Sequence, residues 1–233
     1  MARPRYPRNE GPLPSPLPPE TRTVGQLVAE TVRLYGARFF PVLALGLSIA
    51  ALDELSLGRS ANEQTVVLWL FSPLVTASYV GACTLIAADR PPRRTLLVGL
   101  AVGILVWLPV PVLFRFVILP ALAWLALLGL AVPAAVIERR GFVDSFRRGI
   151  EVARADFIHA FGSLATLAIV YFLSRTVLLF LLRTQSDNAI RTAGFLVDLV
   201  LSPLLFVGAA MLFVDQAARM RSSQASTSTT TPA

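Results

Sequence analysis

The residue types that hydrolytic, redox or metal chemistry would use are nearly missing from this sequence. Metal-assisted hydrolysis needs clustered His, Asp or Glu, and the chain has one histidine, His159. It stands at the start of an apolar run and reads as an interfacial polar residue rather than a ligand or general base. The one cysteine, Cys83, lies inside another apolar run. It can form no internal disulfide and reads as a small packing residue. Asp53 and Glu54 are adjacent and so point to different sides of a helix, whereas a paired acid and base must face one site. There is no phosphate loop, paired-cysteine motif or Gly-Ser-Gly elbow. The expectation is a protein that is not an enzyme, with no catalytic, cofactor-binding or metal-binding residues and no cofactor.

Two charges stand inside long apolar runs: Arg175 and Asp198. A lone charge at the centre of a membrane helix costs about 2.5–3.5 kcal/mol on insertion scales, so a partner is expected. The two are joined by a short connection and sit at similar depth in antiparallel neighbours, about 12 and 10 Å from it at 1.5 Å per residue. They are expected to form an ion pair that pins two helices. The competing reading is a transport or lipid-headgroup site.

The elements that must carry these charges follow from composition. Of 233 residues, 55% are hydrophobic and 15% charged, well under the roughly one quarter charged of soluble domains. Mean hydropathy is +0.66. The net charge is +7, and all 21 basic side chains are Arg. In a soluble protein that basicity would suggest nucleic acid. Here the arginines sit between apolar runs and no groove-binding module is present, so a membrane protein that keeps positive charge inside is expected, with no nucleic-acid partner. Arg in place of Lys, with heavy Ala, Pro and Gly use, suggests a GC-rich bacterial genome.

A spanning helix needs about 20 apolar residues. Six spans are expected: Phe39 to Leu52, extendable to Leu57; Val66 to Ala88; Leu96 to Leu113; Val117 to Ile137; Ile158 to Leu182; and Ile190 to Val214. The third and fourth come from one run, divided at Pro109 and Pro111 with a turn at Phe114-Arg115-Phe116. Gly99 and Gly103 in the third allow close helix approach, within the bundle or in a homodimer. Thr23–Arg38 and Phe142–Asp156 have apolar residues at helical spacing and are expected as interfacial amphipathic helices, the alternative being partner-binding helices. Shifting the chain by 118 positions aligns Val24 with Phe142, Val28 with Phe146, Val32 with Ile150 and Phe39 with Phe157, a weak internal repeat. The fold expected is all-α: a six-transmembrane-helix bundle with two interfacial helices over 23–220, between a Pro-rich disordered tail (1–22) and a Ser/Thr-rich one (221–233).

With the N-terminus inside, sixteen arginines fall in inner segments and four, Arg59, Arg115, Arg183 and Arg191, in outer ones. The positive-inside rule then puts both termini in the cytoplasm. The first residues lack the apolar core of a cleavable signal.

Ala131-Val-Pro-Ala-Ala-Val-Ile-Glu138 followed by Gly141 to Phe157, and the opening Thr23 to Pro41, resemble the bacterial six-span membrane proteins related to the membrane domain of glycerophosphodiester phosphodiesterases. The layout is shared over roughly residues 23 to 220. Leu108-Pro-Val-Pro111 replaces the Leu-Pro-Gly turn of that family, and Arg90-Pro-Pro-Arg-Arg94 is a shortened form of a basic helix. The resemblance implies no activity, since the phosphodiesterase barrel is missing.

The function expected is a scaffold or lipid-organising module of the bacterial plasma membrane. Arg139, Arg140, Arg147, Arg148 and Arg154 are the expected contacts to anionic lipids. A protein partner is open, and so is the oligomeric state. The alternative is a small transporter or exporter subunit with a polar path near Arg175 and Asp198. A membrane enzyme ranks third.

Overall fold

The computed structural model describes residues 18–116 and 118–228. Expected disorder in 1–17 and 229–233 lies outside them. Every regular element among the described residues is helical. After a turn of 3-10 helix at Pro19–Thr21 come α1 (Val24–Ala37), α2 (Phe39–Leu45), α3 (Leu47–Ser56), α4 (Ala61–Leu70), α5 (Ser72–Ile86) and α6 (Arg93–Trp107). There follow α7 (Val110–Phe116), α8 (Ile118–Leu128), α9 (Ala131–Val136), α10 (Phe142–Ala155), α11 (Phe157–Leu181) and α12 (Asp187–Ser228).

Five of the resulting helical runs are long and apolar enough to cross a membrane: Phe39–Ser56, Arg93–Arg115, Ile118–Val136, Phe157–Leu181 and Asp187–Ser223. The pair α4 and α5, bent by 49°, meets the same test only when taken together, as a broken span or a re-entrant loop. Each falls on one of the expected apolar stretches. The breaks inside them have local causes. Pro73 has no N–H for the carbonyl of Trp69, and α4 ends at Leu70 with Phe71 as its cap. Pro109 and Pro111 likewise deprive the carbonyls of Leu105 and Trp107, and α6 ends there. Neighbouring indoles bond the carbonyls around this break: Trp124 Nε1 donates to Val106 O at 2.8 Å and Trp69 Nε1 to Leu108 O at 2.9 Å. Helix-breaking prolines are tolerated among apolar helices when neighbours supply such bonds.

The most buried of these runs is α12, which touches α1, α2, α3, α5, α10 and α11. Gly46, the one-residue break between α2 and α3, lets this approach happen. A Cβ there would lie 2.1 Å from the carbonyl oxygen of Leu199. Gly99 and Gly103 pack within the bundle. Added Cβ atoms would lie 2.6 Å from Val136 Cγ2 and 2.2 Å from Thr76 Cγ2. In contrast, α11 is the least buried run, and it turns Ile158, Ile169, Leu173, Phe180 and Leu181 outward.

The repeat is sharper in three dimensions than in sequence. Adding 118 to the bounds of α1 gives those of α10. The buried residues of α1, Leu27, Thr31 and Tyr35, map onto Ser145, Gly149 and Ala153, all buried. Both helices stop at one residue outside helical geometry, Arg38 (φ −128°, ψ 46°) and Asp156 (φ −151°, ψ 74°), before a Phe that begins an apolar helix. Phe142 stays exposed and Phe146 half-buried, while the small residues Ser145 and Gly149 face inward. Gly149 sits so close to Ala131 that a Cβ would lie 2.6 Å from its backbone nitrogen, which a large side chain could not permit.

Residues 18–22 and 221–228, expected as parts of the tails, are among the described residues. Arg22 is buried and pairs with Asp215, because a carboxylate inside the bundle must be compensated by an opposite charge. At the other end α12 runs on to Ser228, since extending an existing helix avoids the cost of nucleating one.

Candidate functional site

The turns α3–α4, α7–α8 and α11–α12 gather at one end of the bundle, and α1, α10 and the last part of α12 at the other. Each end holds a charge network.

At the first end, Arg175 and Asp198 meet as expected: Arg175 Nε donates to Asp198 Oδ1 at 3.0 Å. Two further groups join them. Tyr171 Oη donates to the same Asp198 oxygen at 2.6 Å, and Arg175 Nη2 donates to Asp53 Oδ2 at 2.5 Å. The side chain of Asp198 is wholly buried, and its Oδ2 has no partner among the described residues. Asp53 is about one third exposed. Asp53 and Glu54 point apart, as adjacent helical residues must. Asp53 takes Arg175 of α11 and Glu54 takes Arg191 of α12. No local pattern in the sequence links the two acids to these arginines, because neither arginine is near them in sequence. Arg115 at the α7–α8 tip donates to Asn62 Oδ1 at 2.6 Å and ties the third turn to the same end.

A cavity of about 440 Å³ opens beside this network, within the roughly 300–1,000 Å³ of small-molecule pockets. Asp53, Ser56 and Gln64 line it at the α3–α4 end, and it runs inward past Val106, Leu122 and Ala168 to Gly129, Leu130 and Leu164. Most of its wall is apolar, and Tyr171 belongs to it. Arg175 and Asp198 do not line it; they stand behind Asp53 and Tyr171. No sequence signal announces the cavity, since its wall comes from α3 to α9, α11 and α12 together.

At the other end, Arg22 Nη1 bonds Asp215 Oδ1 at 2.9 Å, and Arg219 reaches Asp156 Oδ2 at 3.4 Å and the carbonyl of Arg22. Gln216 Nε2 donates to the carbonyl of Asp156 at 3.1 Å. The Asp156 side chain also accepts from the His159 amide at 3.1 Å and caps α11. His159 is thus held in the first turn of α11, and its Nε2 is buried. This network was not legible from sequence. Arg22 ends a Pro-rich stretch and lies 193 residues from Asp215.

The five arginines expected to meet lipid divide. Arg148 is largely buried and forks onto Glu138 with three bonds of 2.9–3.2 Å, which makes it part of the α9–α10 junction. Arg139, Arg140 and Arg147 make exposed pairs with Asp89, Glu138 and Glu151 at 3.6, 3.3 and 3.1 Å; such pairs are worth little. Arg154 is exposed. Arg139 also has φ 56°, a left-handed geometry uncommon for a residue with a Cβ.

Comparisons with protein-family models, with characterised proteins and with solved structures give no match.

Proposed function

We propose that this chain is a non-enzymatic multi-pass protein of a bacterial plasma membrane that organises anionic lipids at its arginine-rich end. Six spans with two interfacial helices and both termini in the cytoplasm is the topology that goes with this reading. The observation that carries it is the α9–α10 region. Phe142 is exposed at the start of the same helix, about 120–140° round from exposed Arg147 and Arg154 at about 100° per residue, the disposition of a helix lying at a membrane surface. The strained Arg139 supports it, because a glycine would hold that turn with less strain but would carry no charge to a headgroup. The likeness of Gly141–Phe157 to the membrane domain of glycerophosphodiester phosphodiesterases is in keeping with a membrane role without chemistry. The test is native mass spectrometry of the purified protein in mixed phosphatidylglycerol and phosphatidylcholine. Retained phosphatidylglycerol should fall when Arg139, Arg140, Arg147 and Arg154 are all changed to Gln, at roughly 1 kcal/mol per basic side chain. Unchanged retention would sink the reading.

A second reading, a small transporter subunit, is favoured by one observation: the cavity reaches Asp53 and Tyr171, the partners of the Arg175–Asp198 pair. Uptake into proteoliposomes that is lost on filling the cavity would favour it over the first.

A further inference from the structure

We propose that the cavity between α3 and α12 binds a hydrophobic cation, specifically a single-chain alkylammonium with its charged head at Asp53. This requires a ligand in the cavity of the second reading, but not transport, and it is independent of lipid contacts at the arginine-rich end.

Charge comes first. Among the residues lining the cavity Asp53 is the only charged one. Its one ionic partner, Arg175, is shared with Asp198. Two carboxylates therefore face one guanidinium, and the triad carries a formal surplus of one negative charge. The nearby bases do not cancel it at the cavity. Arg191 is neutralised by Glu54, while Arg115 and Arg59 bond only the neutral groups Asn62 Oδ1 and Leu55 O and keep their charge; none of the three lines the wall. Asp198 is the inner carboxylate, with Tyr171 and Arg175 both on one of its oxygens. Asp53 is the outer one, partly exposed at the end where the cavity is polar.

The wall fits the rest of such a molecule. Tyr79, Trp107, Phe114, Tyr171, Phe172 and Phe206 all contribute to it, and aromatic faces attract ammonium groups, by about 2 kcal/mol or more when water is excluded. Along α11 the lining runs from Leu164 to Phe172, about 12 Å at 1.5 Å per residue. That is a slot for an alkyl chain rather than a bowl for a compact solute. An anionic amphiphile would bring its head against Asp53 with no free cation on the wall to receive it. A phospholipid with an ammonium headgroup would bring its phosphate to the same place, so a single-chain ammonium is the better fit.

The experiment measures binding of radiolabelled decyltrimethylammonium to the full chain in phosphatidylcholine nanodiscs, with empty nanodiscs subtracted. Saturable binding is expected, competed at least tenfold better by decylamine than by decyl sulfate. Asp53→Asn should weaken it at least tenfold. Ala168→Phe, which fills the mid-cavity, should abolish it; if that variant does not fold, Leu125→Trp serves the same purpose from α8. No saturable binding, equal competition by decyl sulfate, an unchanged Asp53→Asn or full binding in the filled variant would each overturn the proposal. Phosphatidylglycerol retention measured on the same preparations separates the two ideas, because Asp53→Asn should leave it untouched.

Discussion

The Arg175 guanidinium sits between two carboxylates from different helices, 3.0 Å from Asp198 Oδ1 and 2.5 Å from Asp53 Oδ2. It therefore clamps α3, α11 and α12 rather than pinning two helices alone. Removing one partner of a buried pair typically costs about 3–5 kcal/mol, because the other is left uncompensated. Arg175 is about one quarter exposed, so the lower part of that range is expected for Arg175→Met. Adding Asp198→Asn should recover more of the loss than adding Asp53→Asn, since Asp198 is wholly buried and Asp53 is not. Thermal unfolding followed by fluorescence-detected size exclusion measures the three variants against the wild type. Equal rescue by the two Asn changes would mean that burial does not set the cost.

Arg22→Met should destabilise by a similar amount, although it lies at the edge of a Pro-rich stretch, because it strands Asp215. Asp215→Asn in the same chain should restore part of the stability. If Arg22→Met unfolds at the wild-type temperature, the buried Arg22–Asp215 pair is not formed.

Gly103→Ala and Gly149→Ala should both destabilise, by about 1–3 kcal/mol as overpacked core changes do, but only the first should be repairable. The Gly103 Cβ would collide with the Thr76 side chain, so Thr76→Ser relieves it. The Gly149 Cβ would meet the backbone of Ala131, which cannot be trimmed. Denaturation midpoints of the singles and of Gly103→Ala with Thr76→Ser decide the matter; a double variant no better than Gly103→Ala contradicts the packing.

Trp124→Phe keeps most of the ring but removes the bond to the Val106 carbonyl at the proline break. A loss of about 1–3 kcal/mol is expected, the cost of leaving a buried acceptor unbonded. A neutral result would mean that the broken α6–α7 junction finds another donor.

Ser60 and Gln185 belong to turns joined by the Glu54–Arg191 pair and should lie on one side of the membrane. Cys83 is fully buried, so single cysteines introduced at 60 and 185 can be labelled without removing it. Opposite accessibility at the two sites would break the proposed topology.

The positions of the apolar helical runs are legible in the sequence, because each needs only a local excess of apolar residues bounded by charge, Gly or Pro. The sequence also showed the 118-residue repeat and the Arg175–Asp198 pairing, since those two charges lie on antiparallel neighbours joined by a short turn. Tertiary structure alone decided which face of α10 turns inward. Apolar periodicity selects Phe142 and Phe146, but close packing on α9 admits only the small side chains Ser145 and Gly149. It also decided that Asp53 joins Arg175 and that Arg22 neutralises Asp215. Those partners are 122 and 193 positions apart, and charges pair by distance in space, which no local pattern encodes. The cavity belongs to the same class, because a void is the space left between helices and no single segment of the chain specifies it.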